Sequence, residues 1–254
     1  MKVVVVGDNG LIQGELVEAI TTAGHEVVQV FLGTERSTPD VGQLIHLLDG
    51  ASVVVDVSVA PSLDSARSLR FHQTLTINLL AAELMTGVGH HVVLSVRGDR
   101  DSQDDGCFHA KAVQEDLVRL SPVPYSIVHA TRFFEFVKSI ADLATIETAA
   151  RLAPAVVQPA AARNVAESLA AIALGEPVNG TVELAGSDHF GIIEFVDLVL
   201  ATHQEPQHPL IDEQALLLAV EADRRVVPEE GSHPGATPTP LQAGPRPQRD
   251  TESG

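Results

Sequence analysis

The stretch that most constrains this chain is its first fourteen residues, Met1 to Gly14. Lys2 to Val6 reads as a strand, Gly7-Asp8-Asn9-Gly10 as a tight glycine turn, and Leu11 opens a helix. Four consecutive valines suit a strand covered on both faces, as in a parallel sheet. A strand that turns through glycines into a helix gathers backbone N–H groups and a positive dipole end at one point. Such a point suits the pyrophosphate of a dinucleotide. The spacing is G-x-x-G-x-x-Q, with Gln13 where a third glycine would complete the fingerprint.

Downstream, strands and helices alternate. Apolar residues at helical spacing run from Leu11 to Ala23 and stop at Gly24. Glu26–Leu32 is a second strand, Pro39–Leu48 a short helix closed by Gly50, and Ser52–Val57 a third strand. A long helical stretch, Leu63–Thr86 with room for a break, ends at Gly87. His91–Val96 is strand four, Phe108–Leu120 a helix and Tyr125–His129 strand five. This alternation predicts an α/β, doubly wound parallel sheet of Rossmann-like type with right-handed crossovers. Past Thr131 the expected elements are a helix over Arg132–Glu147, a helix over Ala161–Leu174, a strand at Thr181–Ala185 and a helix at Ile192–Ala201.

The expected organisation is one domain over residues 1–227, whose segments from about 131 cover the carboxyl edge of the sheet and form a small C-terminal substrate-covering part. Residues 228–254 are rich in Pro, Gly, Thr, Gln and charge and form a flexible tail that buries too little to order itself alone. Sixteen basic against thirty-four acidic residues leave a formal net charge of −18. That charge repels a phosphate backbone and an anionic membrane surface, so neither nucleic acid nor a membrane is an expected partner. No apolar run reaches the length of a membrane span, and Met1 leads straight into a strand without a targeting segment. The single cysteine, Cys107, excludes an internal disulfide and fits a reducing cytoplasm. His90 and His91 are adjacent, so on a strand their rings face opposite ways and share no metal; no zinc or calcium spacing appears, and no metal is expected.

Several segments together carry a resemblance: Val-Gly-x-x-Gly-Leu-Ile at 6–12, Gly-His-Glu-Val-Val at 24–28, Asp-Val-Ser at 56–58, Gly-His-His-Val-Val-Leu-Ser-Val at 89–96, the x-Phe-x-Ala-Lys run at 107–111, and Tyr-Ser-Ile-Val-x-Ala-Thr-x-Phe-Phe-Glu-Phe at 125–136. The chain resembles the atypical short-chain dehydrogenase/reductases, in their NmrA-like, NAD(P)H-binding branch of actinobacterial type. That resemblance spans Met1 to about Leu200. It implies NAD or NADP bound through the first glycine loop, and a carbonyl reduced with the help of a Ser, a Tyr and a Lys four residues after that Tyr. Position by position, it places Ser95 and Lys111 in the catalytic set and puts Cys107 where the tyrosine would stand. Gly7, Asn9, Gly10, Leu11, Ile12, Arg36 and Ser58 are the expected cofactor-binding residues, with Thr131, Phe133 and Phe134 in the substrate pocket.

Four departures from that pattern bear on chemistry. Cysteine is shorter than tyrosine by a ring and a poorer hydrogen-bond donor. Near a helix N-terminus and four residues before Lys111 it is either a reactive thiol or a small residue filling a vacated place. His109 is a further acid by position, pointing away from Cys107 on the helix. Asp8 sets a carboxylate where a pyrophosphate would lie and can itself cap the helix. Gln13 either crowds the approach of helix to strand or swings outward to hydrogen-bond phosphate. Val59 stands where related sequences commonly carry Asn. Glu35 and Arg36 leave NAD against NADP open. Three functions follow: an NAD(P)H-dependent oxidoreductase of a small metabolite of aromatic or polyketide type, with Ser95 orienting the carbonyl and Lys111 holding the cofactor ribose; a cofactor-independent cyclase, isomerase or dehydratase; or a non-enzymatic NAD(P) or metabolite sensor. A homodimer is an admissible assembly.

Overall fold

The structure is a computed structural model, and it describes residues 1–8, 10–32, 38–62, 64–96, 106–131, 133, 145–146, 149–152, 156–191, 208–211 and 239–241. In chain order the elements are β1 (Lys2–Gly7), α1 (Leu11–Thr22), β2 (Glu26–Phe31), α2 (Val41–Leu48), β3 (Val53–Asp56), α3 (Ser65–Thr86), β4 (His90–Val96), α4 (Gly106–Leu120) and β5 (Tyr125–Ala130). There follow β6 (Thr145–Ile146), β7 (Ala149–Leu152), β8 (Val156–Val157), α5 (Ala162–Leu174), β9 (Gly180–Gly186), β10 (Phe190–Gly191), β11 (His208–Ile211) and β12 (Thr239–Leu241).

The main sheet runs β12-β9-β5-β4-β3-β1-β2. All five pairings from β2 to β9 are parallel. The order reverses between β1 and β3, and the crevice outside the carboxyl ends of strands at such a point is where open α/β sheets bind ligands. Both faces are covered, which is why the strands read as unbroken valine. Val3 to Val6 and Val53 to Val55 are all buried. On one face Val4, Val6, Val30 and Val54 meet Leu44 and Leu48 of α2 and Leu75, Leu79 and Ala82 of α3. The alternate residues Val3, Val5, Val53 and Val55 point the other way, where α1 and α5 pack against each other through a side holding buried Leu16, Ile20, Val165 and Leu169. Each such side chain contributes about 1.5–3 kcal/mol by leaving water.

Local signals set the element ends. Asp40 and Gln43 form a reciprocal capping box at the start of α2. Asp64 accepts from the Arg67 amide at 2.9 Å and starts α3, which then runs without the expected break. Gly87 ends it at φ 75°, a left-handed conformation that favours glycine. At the amino end of β4, His91 and Glu83 pair at 2.8 Å with both side chains fully buried. Burial pulls the His91 pKa down, but the Glu83 carboxylate outweighs it, and the net shift is upward.

The chain divides into two compact units. The first holds β1 to β5, α1 to α5 and β9 as far as Leu184. The second draws on Thr131–Ala161, Ala185–Val227 and Pro240–Gly254, and has its own short pairings: β7 with β6 and with β11, and β8 with β10. Within it a Cβ on Gly186 would collide with the Pro159 carbonyl oxygen, so this close approach admits glycine alone. The expected helix over Arg132–Glu147 is corrected where its residues are described. Phe133 bridges Ala160, and Thr145–Ile146 is a strand. Their apolar spacing fitted either period, and pairing with neighbouring chain decided it. The expected helix at 192–201 and the aspartates of the 97–105 loop lie outside the described residues. Of the tail, Thr239–Leu241 forms β12, and its other residues lie outside them too.

Candidate functional site

The reversal of strand order brings the end of β1, the end of β3 and the start of α4 to one edge. Asp56 closes β3 and is fully buried. Its Oδ1 accepts from the Ser58 amide at 2.8 Å, and its Oδ2 accepts from Gln114 Nε2 at 2.9 Å. Gln114 turns its other atom, Oε1, to Lys111 Nζ at 2.9 Å. The same ammonium donates to two backbone carbonyls, Ser58 O at 3.0 Å and Leu94 O at 3.1 Å. Lys111 thus ties the ends of β3 and β4 to α4 and is 8 % exposed. The Ser58 hydroxyl is buried and has no hydrogen-bond partner among the described residues. Beside this group, His72 of α3 is buried. Desolvation first, and then the charge of Lys111, hold its pKa down at about 2.

The glycine turn lies at the β1 end of the same edge. Gly10 is the helix N-cap, in an extended conformation, and no described side chain caps α1. Asp8 Oδ1 accepts from the Gly10 amide at 3.2 Å. Gln13 does not swing outward. It is 1 % exposed and belongs to the buried stripe Gln13, Leu16 and Ile20, whose spacing turns it toward the sheet. Its Oε1 would lie 2.7 Å from a Cβ placed on Gly7, and Val57 Cγ2 would lie 2.9 Å away. Leu11 is half exposed and Ile12 partly buried.

Ser95 belongs to a different network from Lys111. Its hydroxyl donates to Glu115 Oε1 at 2.6 Å, not toward the open edge where a substrate carbonyl was expected. The same carboxylate receives His129 Nε2 at 2.8 Å and Arg119 at 2.9 Å, and His129 Nδ1 bonds Glu183 at 3.0 Å. Burial would depress the His129 pKa, but hydrogen bonds and charge from Glu115 and Glu183 raise it to about 9. Burial would raise that of Glu115, yet His129, Ser95 and Arg119 lower it to about 2. The pair is ionic.

Of the other expected residues, Cys107 stands in the first turn of α4, four residues before Lys111, its side chain outside those described. Asn9, Arg36 and Phe134 also lie outside the described residues. Val59 and His109 are exposed. In the second unit, Thr131 donates to the Gln158 carbonyl at 2.7 Å and Phe133 is part of the bridge to Ala160. Sequence reading passed over Gln114, Glu115, His72 and His129. The spacing Lys111-x-x-Gln114-Glu115 held the first two, since positions three and four apart share a helix face.

A dinucleotide suits these residues in outline. The uncapped start of α1 follows β1 through an N-cap without a side chain, the Ser58 hydroxyl is unspent, and an ammonium stands at the edge. Against it stand the carboxylate of Asp8, bonded to the Gly10 amide, and the side chain of Gln13, which fills the space above Gly7.

Comparison with solved structures agrees with this geometry. A dTDP-4-dehydrorhamnose reductase from Clostridium acetobutylicum superposes with a TM-score of 0.67 at 16% identity, over 84% of each chain. The chain has a Rossmann-like α/β fold. A UDP-glucose 4-epimerase from Thermus thermophilus, solved with NAD, gives 0.67 at 16% identity over 85% of this chain and 88% of the other. An NADPH-dependent quinone oxidoreductase from Escherichia coli gives 0.62 at 14% identity over 83% and 78%. The sequence matches no protein-family model and no curated protein. Among the described residues no helix is long and apolar enough to cross a membrane.

Proposed function

We propose that this chain binds NAD(P)H along the carboxyl edge of its sheet and acts on a small metabolite as an oxidoreductase of the atypical short-chain type, without a catalytic tyrosine. The observation that carries the reading is the buried ammonium of Lys111, held where the ends of β3 and β4 meet α4. Backbone amides at Leu11 and Ile12, with that of Gly10 once Asp8 releases it, would hold the pyrophosphate, and Lys111 with Ser58 would face the ribose. The cofactor, when bound, supplies a hydride. Lys111 places a positive charge near the reacting oxygen, and the proton comes from water or from a group other than tyrosine. The aromatic or polyketide character of the substrate rests on the phenylalanine cluster at 133–136.

A second reading is favoured by Ser95. Its hydroxyl is given to Glu115, and Cys107 stands in the tyrosine position, so a cofactor-independent cyclase, isomerase or dehydratase on the same fold needs neither group. Titration of the full chain with NADH and NADPH, followed by nicotinamide fluorescence, separates the two. The chain has no tryptophan, so the signal is clean. Micromolar binding with transfer of hydride to quinone or carbonyl probes is the expected result. No binding at millimolar cofactor would overturn the first reading and leave the second.

A further inference from the structure

We infer that Gln114, oriented by Asp56, is the positioning residue that sets the direction of the Lys111 ammonium and holds a hydrogen bond that a ligand can take over. The inference rests on the reading that ligand oxygen meets Lys111 at the sheet edge.

Among the described residues Lys111 Nζ donates to Ser58 O, Leu94 O and Gln114 Oε1, and these acceptors differ in kind. Ser58 O and Leu94 O are backbone carbonyls at the ends of β3 and β4, fixed by the sheet. Gln114 Oε1 is a side-chain atom that moves by rotation about its own bonds. An ammonium carries three N–H donors. A ligand oxygen therefore gains a hydrogen bond from Lys111 by displacing Gln114, since displacing either carbonyl would disturb a strand end. An amide has two faces, one donating and one accepting, so its direction must be set. Asp56 does this. Its Oδ2 can only accept while ionised, which forces Gln114 Nε2 toward β3 and Oε1 toward Lys111. Both Asp56 and Gln114 are fully buried, so water does not scramble the order. The chain Asp56–Gln114–Lys111 thus has a polarity, and that polarity points the ammonium.

The test exchanges the two end groups while keeping the pattern. Asp56→Asn alone offers two donors to Gln114 and reverses the amide. Gln114→Glu alone sets two carboxylates against each other. Asp56→Asn with Gln114→Glu restores donor to acceptor at each contact, with unchanged total charge and Oδ1 still accepting from Ser58. Lysine acetylation by an N-hydroxysuccinimide ester reads the outcome, because the chain has only Lys2, Lys111 and Lys138 and peptide mass spectrometry resolves each. Relative to Lys2, Lys111 is expected to react about fivefold faster in Asp56→Asn, the loss of one hydrogen bond, and to regain at least wild-type protection in the double variant. Gln114→Glu alone keeps an acceptor for Lys111 and is not expected to expose it. Where a single variant fails to fold, a folded double variant with wild-type protection is the same rescue. A double variant no better protected than Asp56→Asn, or Lys111 reactivity unchanged in Asp56→Asn, would overturn the inference. In Gln114→Leu, removal of the competitor is expected to tighten NADPH several-fold; equal or weaker binding counts against the displacement. Absence of NADPH binding to wild type defeats the proposed function instead, and the acetylation pattern still decides the role of Gln114.

Discussion

At the scale of single residues, the proposed cofactor binding sets Asp8 and Gln13 apart, because each would meet a dinucleotide in a different way. Asp8 acts by charge, through a carboxylate already bonded to the Gly10 amide. Gln13 acts by volume, filling the space above Gly7. Asp8→Asn retains an oxygen for that amide and removes only the charge, whereas Gln13→Gly opens the space and costs helix stability of about 1 kcal/mol. Combined, they are expected to tighten NADPH roughly tenfold, equivalent to about 1.4 kcal/mol, in a fluorescence titration. Unchanged affinity would show that the turn does not limit binding. The two residues were visible as departures from the glycine fingerprint. The direction of Gln13 was not, because an outward and an inward rotamer share one sequence position. What decided it was the stripe with Leu16 and Ile20.

At the scale of elements, the joint between β4, β5, β9 and α4 is electrostatic. His129 on β5 bridges Glu115 of α4 and Glu183 of β9, with Arg119 and Ser95 on the same carboxylate. Raised to about 9, the His129 pKa adds stability that is complete below its ordinary value of 6.5 and is lost as pH climbs through 9. Lowered to about 2, that of Glu115 adds stability complete above 4.5 and lost as pH falls through 2. The joint is strongest between these limits. His129→Gln is therefore expected to cost about 1–3 kcal/mol near pH 6 in urea unfolding and almost nothing near pH 10. A difference that persists at pH 10 would assign the effect to shape. The strands and helices themselves were legible from valine runs and glycine stops. This joint was not, because its members sit at positions 95, 115, 119, 129 and 183, and only the order of the strands brings them together.

At the scale of the whole molecule, two buried histidines oppose acid. His72 is held down to about 2 and His90 to about 4, in both cases chiefly by burial. The unfolded chain binds these protons near 6.5 and the folded chain does not, so stability falls as pH drops below 6.5. Replacing His72 by Leu is expected to flatten the decline in urea midpoint between pH 7 and pH 5. An equally steep decline would place the acid sensitivity elsewhere. The architecture was readable from the alternation of elements, and the second unit was not. Its short strands, β6 to β8 and β10 to β11, lack the length that makes a period visible, and apart from the local β6–β7 pair their partners lie far along the chain.

One consequence of the exchangeable contact between Lys111 and Gln114 concerns how occupancy would register. A guest that takes the place of Gln114 exchanges one contact for another of similar strength, so little heat is released as it settles. Calorimetric silence would then be compatible with a full site, and an optical signal from the guest itself is the sounder witness.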